Sequence, residues 1–204
     1  MSAAPRSRNR KGEGALLRAQ ILAAATAELA RLGDAEALGM RDVAAACKVT
    51  PPSVYAHFAN KQDLLRAAIA AMFTEFEQAL DGAAVDATDP FDALARRCHA
   101  YVRFAAEQPG QYRVLFSATN LGPAAVGDEQ PHPGAASFFA LVAAVEQCVA
   151  AGAIVDQPAD LLAVELWAAL HGIVDLRITK PELPWPPAEL LVDNALGHLG
   201  LRGA

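Results

Sequence analysis

Aromatic side chains are scarce, at 6% of 204 residues, and charged ones make up only 20%. Strands favour aromatic and β-branched residues in alternation, and no dense Val/Ile/Thr alternation occurs. Alanine and leucine fill long periodic segments instead, which argues for helices. With 53% hydrophobic residues the chain can bury a core, so overall disorder is excluded. Its length admits one large domain or two small ones.

Cysteine is also rare. Cys47, Cys98 and Cys148 are odd in number and far apart, so they form neither a full disulfide framework nor a set with metal-ligand spacing. Reduced thiols in a cytoplasmic protein are expected. His57, His99, His132, His171 and His198 are scattered, and no metal site is expected. No apolar run reaches the length that spans a bilayer. The basic start resembles a signal peptide only superficially, because Arg18, Gln20 and Glu28 leave just residues 21–27 uninterrupted. There is no G-x-S-x-G elbow, no HExxH and no glycine-rich phosphate loop, and Ser117, His99 and Asp92 form no recognised arrangement. No catalytic residues and no cofactor are expected, and the chain reads as a non-enzyme.

The net charge of −6 is unevenly spread. Residues 1–66 hold ten Lys/Arg against six Asp/Glu, a balance of +4, and residues 67–204 hold seven against seventeen, a balance of −10. A basic head on an acidic body suggests that only the head meets phosphate.

The pattern of the chain predicts three parts: a flexible basic arm over 1–13, a small helical head over 14–60 and a larger helical body over 61–204. Arg8, Arg10 and Lys11 in the arm either track a minor groove or keep the terminus soluble. A first helix is expected from about Ala15 to Leu32, with Ile21, Leu22, Ala25, Leu29 and Leu32 on one face and Gly33 as its stop. A short helix from about Arg41 to Cys47 follows. Thr50-Pro51 then has the form of an N-cap and first-position proline for a third helix ending near His57-Phe58. Asn60 and Asp63 form an approximate capping box for a fourth helix of about 20 residues, striped by Leu65, Ile69, Met72, Phe73, Phe76 and Leu80. Residues 82–90 read as a linker. Further helices are expected at about 91–107, 109–118, 135–152, 158–179 and 187–199. Residues 119–134, rich in Gly and Pro, read as a mobile loop placed to act as a lid.

The second and third helices and their tight turn have helix-turn-helix dimensions. Thr50, Ser53, Tyr55, His57 and Lys61 bring hydroxyls, an imidazole and an ammonium into a dozen residues. The third helix's first turn offers backbone N–H groups to a phosphate. The stretch MRDVAAACKVTPPSVYAHFANKQDLLRAAI, residues 40–69, resembles the DNA-binding signature of the TetR family. The resemblance implies that Val43, Ala44 and Val49 pack the motif and that Thr50 caps and contacts phosphate. It places Ser53, Val54, Tyr55, His57 and Phe58 on the recognition helix, and makes Lys61 a phosphate-binding lysine. Phe58 reads as core in any case. The DNA-binding set is then Arg41, Lys48, Thr50, Pro51, Ser53, Val54, Tyr55, His57 and Lys61. Lys48 departs from the family, which places glycine there; a left-handed backbone at this turn would cost lysine about 1 kcal/mol.

Residues 100–117 and 166–176 resemble a TetR-family body type named for a Trp-His-Gly pattern, supplied here by Trp167, His171 and Gly172. The family implies an all-α fold, a homodimer through the last two helices, operator DNA as partner and a small apolar or amphipathic effector. The 158–179 helix is apolar nearly all round, as a helix buried between its own body and a second subunit would be. Met72, Phe76, Cys98, Tyr101, Val102, Arg103, Phe116, Phe138, Trp167, His171 and Val174 are the expected ligand-binding residues, with Phe139 beside them. Two readings stand for His171: the polar partner of a ligand, or a core histidine bonded to a carbonyl, Tyr101 or Tyr112. Trp167 fits the core better than the pocket wall. Acidic candidates for the pocket are few, with Glu165 and Asp175 the nearest, which suggests a neutral or mildly anionic ligand. The expected function is a repressor released from a palindromic operator when the effector binds. The alternative is a regulator controlled by oxidation of Cys98 or Cys148, or by a protein partner.

Overall fold

In the computed structural model of the chain, residues 13–116 and 134–199 are described. Among them are nine helices and no strand. Residues 1–12 of the basic arm and all but Gly134 of the expected lid lie outside the described residues, so the roles given to them stay expectations, while Glu13 begins the first helix.

Helix α1 (Glu13–Leu32) buries Ile21, Ala25 and Leu29 and ends where Gly33 turns left-handed at φ +65°. The N–H of Gly33 donates to the Leu29 carbonyl at 2.8 Å, closing the last turn. Helix α2 (Met40–Ala46) packs on α1 and on α3 (Pro51–Tyr55), and α1 packs on α4 (Lys61–Ala84); Val43, Ala44, Val54 and Phe58 are buried. Asn60 caps α4 through Oδ1, which accepts from the Asp63 N–H at 2.8 Å.

The expected linker over 82–90 is shorter than its composition suggests. Helix α4 continues through Gly82 to Ala84, 24 residues or roughly 36 Å at 1.5 Å per residue. A glycine in an exposed helix costs only about 1 kcal/mol. The ion pairs of Arg97 with Glu77 and Asp81 hold that last turn against α5.

The body comprises α5 (Pro90–Glu107), α6 (Pro109–Phe116), α7 (Ala135–Ala150), α8 (Ala159–Thr179) and α9 (Ala188–His198). Asp89 caps α5 by accepting from the Asp92 N–H at 2.8 Å, and Pro90 takes the first helical position. Phe76 of α4 sits at the centre of this body. Its ring meets Phe104, Tyr101 and Phe116 edge-on at 5.1, 5.5 and 5.8 Å. Helix α6 also reaches back to the head. A Cβ at Gly110 would overlap the Ala30 carbonyl of α1, and the Arg113 guanidinium packs over Gly33 at the end of α1. Helix α8 is not buried on every side in the single chain, because Leu161, Val164 and Leu176 are roughly half exposed.

Candidate functional site

The α2–α3 turn is built on backbone hydrogen bonds. The N–H of Val49 reaches back to Ala44 O at 2.9 Å and that of Lys48 to Ala45 O at 3.0 Å, the paired bonds of a Schellman motif. This motif requires a left-handed residue at Lys48, and its φ is +56°. The position that read as unusual in sequence is therefore the one that carries backbone strain.

Thr50 occupies the N-cap of α3 in extended conformation, but its side chain caps no backbone N–H. Its hydroxyl lies 3.0 Å from that of Ser53 instead. The expected phosphate seat on the first turn of α3 is also thin. Pro51 and Pro52 have no N–H to offer, and the Ser53 N–H is taken by Thr50 O at 2.9 Å. The outward-facing groups are side chains: Arg41, Lys48, Thr50 and Tyr55 are exposed, with Tyr55 at 50%, while Pro51, Ser53 and His57 are half-buried.

Two residues of the expected DNA-binding set have contacts within the protein. Val54 is fully buried, because the residue between Ser53 and Tyr55 faces inward to pack the three-helix head. The ammonium of Lys61 donates to the Glu36 carbonyl at 2.7 Å, tying α4 to the loop before α2. Behind the motif, the Arg18 guanidinium stacks over the Phe58 ring at 4.7 Å.

The body holds a partly open cavity of about 370 Å³, walled by α4, α5, α6, α7 and α8. Six of the expected ligand residues line it: Phe76, Cys98, Tyr101, Phe116, Phe138 and Trp167. Trp167, which fitted the core better in sequence, is a wall residue. Met72 and Val102 are buried in the packing around the cavity and Val174 in that of α8, while Arg103 faces solvent from α5. None of these four lines the cavity, nor do Glu165 and Asp175, which are both exposed. Phe139 points outward at 67% exposure.

His171 lies behind the aromatic wall and does not line the cavity. Its Nδ1 is 2.7 Å from Tyr112 Oη and 3.3 Å from Tyr101 Oη, and the two phenols are 3.3 Å apart. Burial lowers the His171 pKa, which favours the neutral imidazole. Burial also raises both tyrosine pKa values, which keeps the phenols protonated as donors. The core reading of His171 is the one this geometry fits.

Sequence reasoning missed Phe73, Leu80, Leu141 and, more tellingly, Glu77 and Arg97, which also line the cavity. A signal for both existed. Glu77 falls in the apolar register of Phe73, Phe76 and Leu80, and Arg97 in that of Leu94, Cys98 and Tyr101.

The thiols are poorly placed for redox control. Desolvation pushes Cys98 up to about 12 and Cys148 up to about 11, so little thiolate exists at neutral pH. Among the described residues there is no His/Cys/Asp/Glu group able to hold a metal, and no helix is long and apolar enough to cross a membrane.

Two family models match the chain. The model of bacterial regulatory proteins of the tetR family covers residues 21–68, and that of the tetracyclin repressor-like C-terminal domain covers residues 94–199. The latter span includes Trp167, His171 and Gly172. A protein of unknown function from Rhodococcus sp. RHA1 is similar, with a TM-score of 0.74, 26% identity and 97% of each chain covered. A TetR family transcription regulator from Marinobacter aquaeolei VT8 gives a TM-score of 0.70 at 20% identity, covering 95% of this chain and 100% of its own. RolR in complex with resorcinol gives 0.66 at 15% identity, covering 95% and 92%. No curated protein matches. With its two matched domains and its helical architecture, the chain belongs to the TetR family of DNA-binding transcription regulators.

Proposed function

We propose that this protein is a ligand-released repressor that binds a palindromic operator as a homodimer, with residues 14–60 as the DNA-binding head and 61–204 as the effector and dimerisation body. One observation carries the reading: α4 is shared by both parts. Its first turn is tied to the head through Lys61 and Glu36 O, and its later turns supply Phe73, Phe76, Glu77 and Leu80 to the cavity wall. A molecule that fills the cavity shifts a helix whose other end sets the position of the recognition motif.

The exposed residues Arg41, Lys48, Thr50 and Tyr55, with Pro51, Ser53 and His57 at their margin, form the surface presented to the major groove. Lys61 acts by anchoring α4, and Val54 by packing. Helices α8 and α9 pair with their twins about a two-fold axis, which suits an operator of repeated half-sites. The cavity volume falls in the range of small-molecule sites, and RolR, which shares this fold, is complexed with resorcinol. Linkage then makes effector and operator weaken each other reciprocally, by about 1–3 kcal/mol for ordinary induction.

The test is selection of bound duplexes from a random DNA pool, followed by titration of the enriched site with salt and with small apolar compounds. A palindrome with strongly salt-dependent affinity, released by a compound that also binds the free protein, supports the reading. Enrichment of single half-sites, or affinity raised by every bound compound, would overturn the dimeric repressor.

A further inference from the structure

Two residues that line the cavity, Glu77 and Ser137, each carry a buried oxygen that nothing satisfies. Arg97 of α5 is only 12% exposed and is committed on both arms. Its Nη2 donates to Glu77 Oε2 at 3.3 Å, and its Nη1 is held by Asp81. The other oxygen of the same carboxylate, Glu77 Oε1, is closed to water and has no hydrogen-bond partner among the described residues. The same is true of Ser137 Oγ on α7. Native proteins pair nearly all buried polar atoms, and the exceptions call for a partner not yet in place. Here both exceptions belong to residues that line one cavity.

Hydrogen-bonding chemistry narrows the missing partner. The charged groups of the lining are the Glu77 carboxylate and the Arg97 guanidinium, which pair with each other, while Asp81 meets Arg97 from an exposed position outside the lining. An incoming carboxylate would meet the Glu77 carboxylate, whose unpaired oxygen accepts and cannot donate. A donor finds an unpaired acceptor in Glu77 Oε1, and a hydroxyl finds both donor and acceptor in Ser137 Oγ. The remaining lining, including Phe73, Phe76, Phe116, Phe138 and Trp167, is apolar and aromatic.

We infer that the effector is a compact apolar molecule carrying a hydrogen-bond donor, as a hydroxyl or an ammonium, which engages Glu77 and Ser137 while its body packs among the rings. This rests on the reading of the cavity as the effector site, and it turns the sequence-based expectation of a neutral or mildly anionic ligand toward neutral or cationic ones.

Four probes with one shared body test the inference: naphthalene, naphthylmethanol, naphthylmethylamine and naphthoate, each titrated calorimetrically into the full chain. The alcohol and the amine are expected to bind at least about tenfold more tightly than naphthalene or naphthoate, a difference typical of one well-placed charged or buried hydrogen bond. Glu77→Gln should erase the amine's advantage over naphthoate, and Ser137→Ala should weaken the alcohol while leaving naphthalene unchanged. The two variants are independent, and a cooperative thermal melt identifies one that fails to fold. Equal binding of all four, or tightest binding of naphthoate, overturns the donor pole and leaves the cavity as a site. Binding of none by the folded protein removes the cavity as a site, and the donor pole with it.

Discussion

Lys48 holds a left-handed backbone because the Schellman bonds that end α2 allow no other geometry at that position. Its Cβ makes this conformation costly by about 1–2 kcal/mol relative to glycine. Part of that gain is returned when glycine enlarges the unfolded ensemble. Lys48→Gly should therefore stabilise the protein by about 0.5–1 kcal/mol net, a rise in melting temperature of roughly 1–4 °C for a chain of this size. The same variant removes an exposed charge from the proposed DNA-facing surface. If that charge neutralises a phosphate, the slope of log affinity against log salt should fall by about one. A thermal melt and a salt titration of the selected operator read the two effects separately. A lowered melting temperature would contradict the backbone argument, and an unchanged slope would remove Lys48 from the phosphate contacts.

Helix ends were legible in the sequence where they are written in local chemistry: Gly33 after α1 and Asn60 before α4. The far end of α4 was not, since Gly82 signals a stop while ion pairs made by Arg97 from another helix carry the helix past it. The cavity was half legible. Apolar stripes on α4, α5 and α8 gave Phe76, Cys98, Tyr101 and Trp167, but which turn of each stripe faces the void depends on how helices cross, and Met72, Val102 and Val174 fall on packed turns. The two contrasting glycines follow from the same distinction. A Cβ at Gly82 meets nothing, whereas one at Gly110 overlaps the Ala30 carbonyl where α6 crosses α1. Gly82→Ala should stabilise by about 1 kcal/mol through helix propensity. Gly110→Ala should destabilise by about 1–3 kcal/mol by forcing α6 off α1. Chemical denaturation of both variants checks the signs, and a Gly110→Ala protein as stable as the parent would mean that α6 is not seated on the head.

The single chain leaves a stripe on α8 uncovered: Leu161, Val164, Ala168, Gly172 and Leu176 recur every three or four residues, with Leu190 of α9 also exposed. Leu161, Val164, Leu176 and Leu190 are each between 46% and 49% exposed. A Cβ at Gly172 would meet nothing within 4 Å, so a second helix can approach closely there. An acidic body with a basic head cannot rely on bulk electrostatics to hold DNA. In the proposed dimer, two heads fixed at one spacing would supply the affinity instead, since the second head binds at the high effective concentration set by the first. Leu161→Glu and Leu190→Glu each place a carboxylate where the two copies would meet, desolvating a charge with no partner. Light scattering should report a dimer for the parent and a monomer for the double variant. Affinity for the palindromic site should drop by about 10²-fold or more, while affinity for an isolated half-site stays unchanged because the head is untouched. A double variant that remains dimeric would place the interface elsewhere. One that becomes monomeric yet keeps full palindrome affinity would show that dimerisation occurs on the DNA, with the operator itself bringing the copies together.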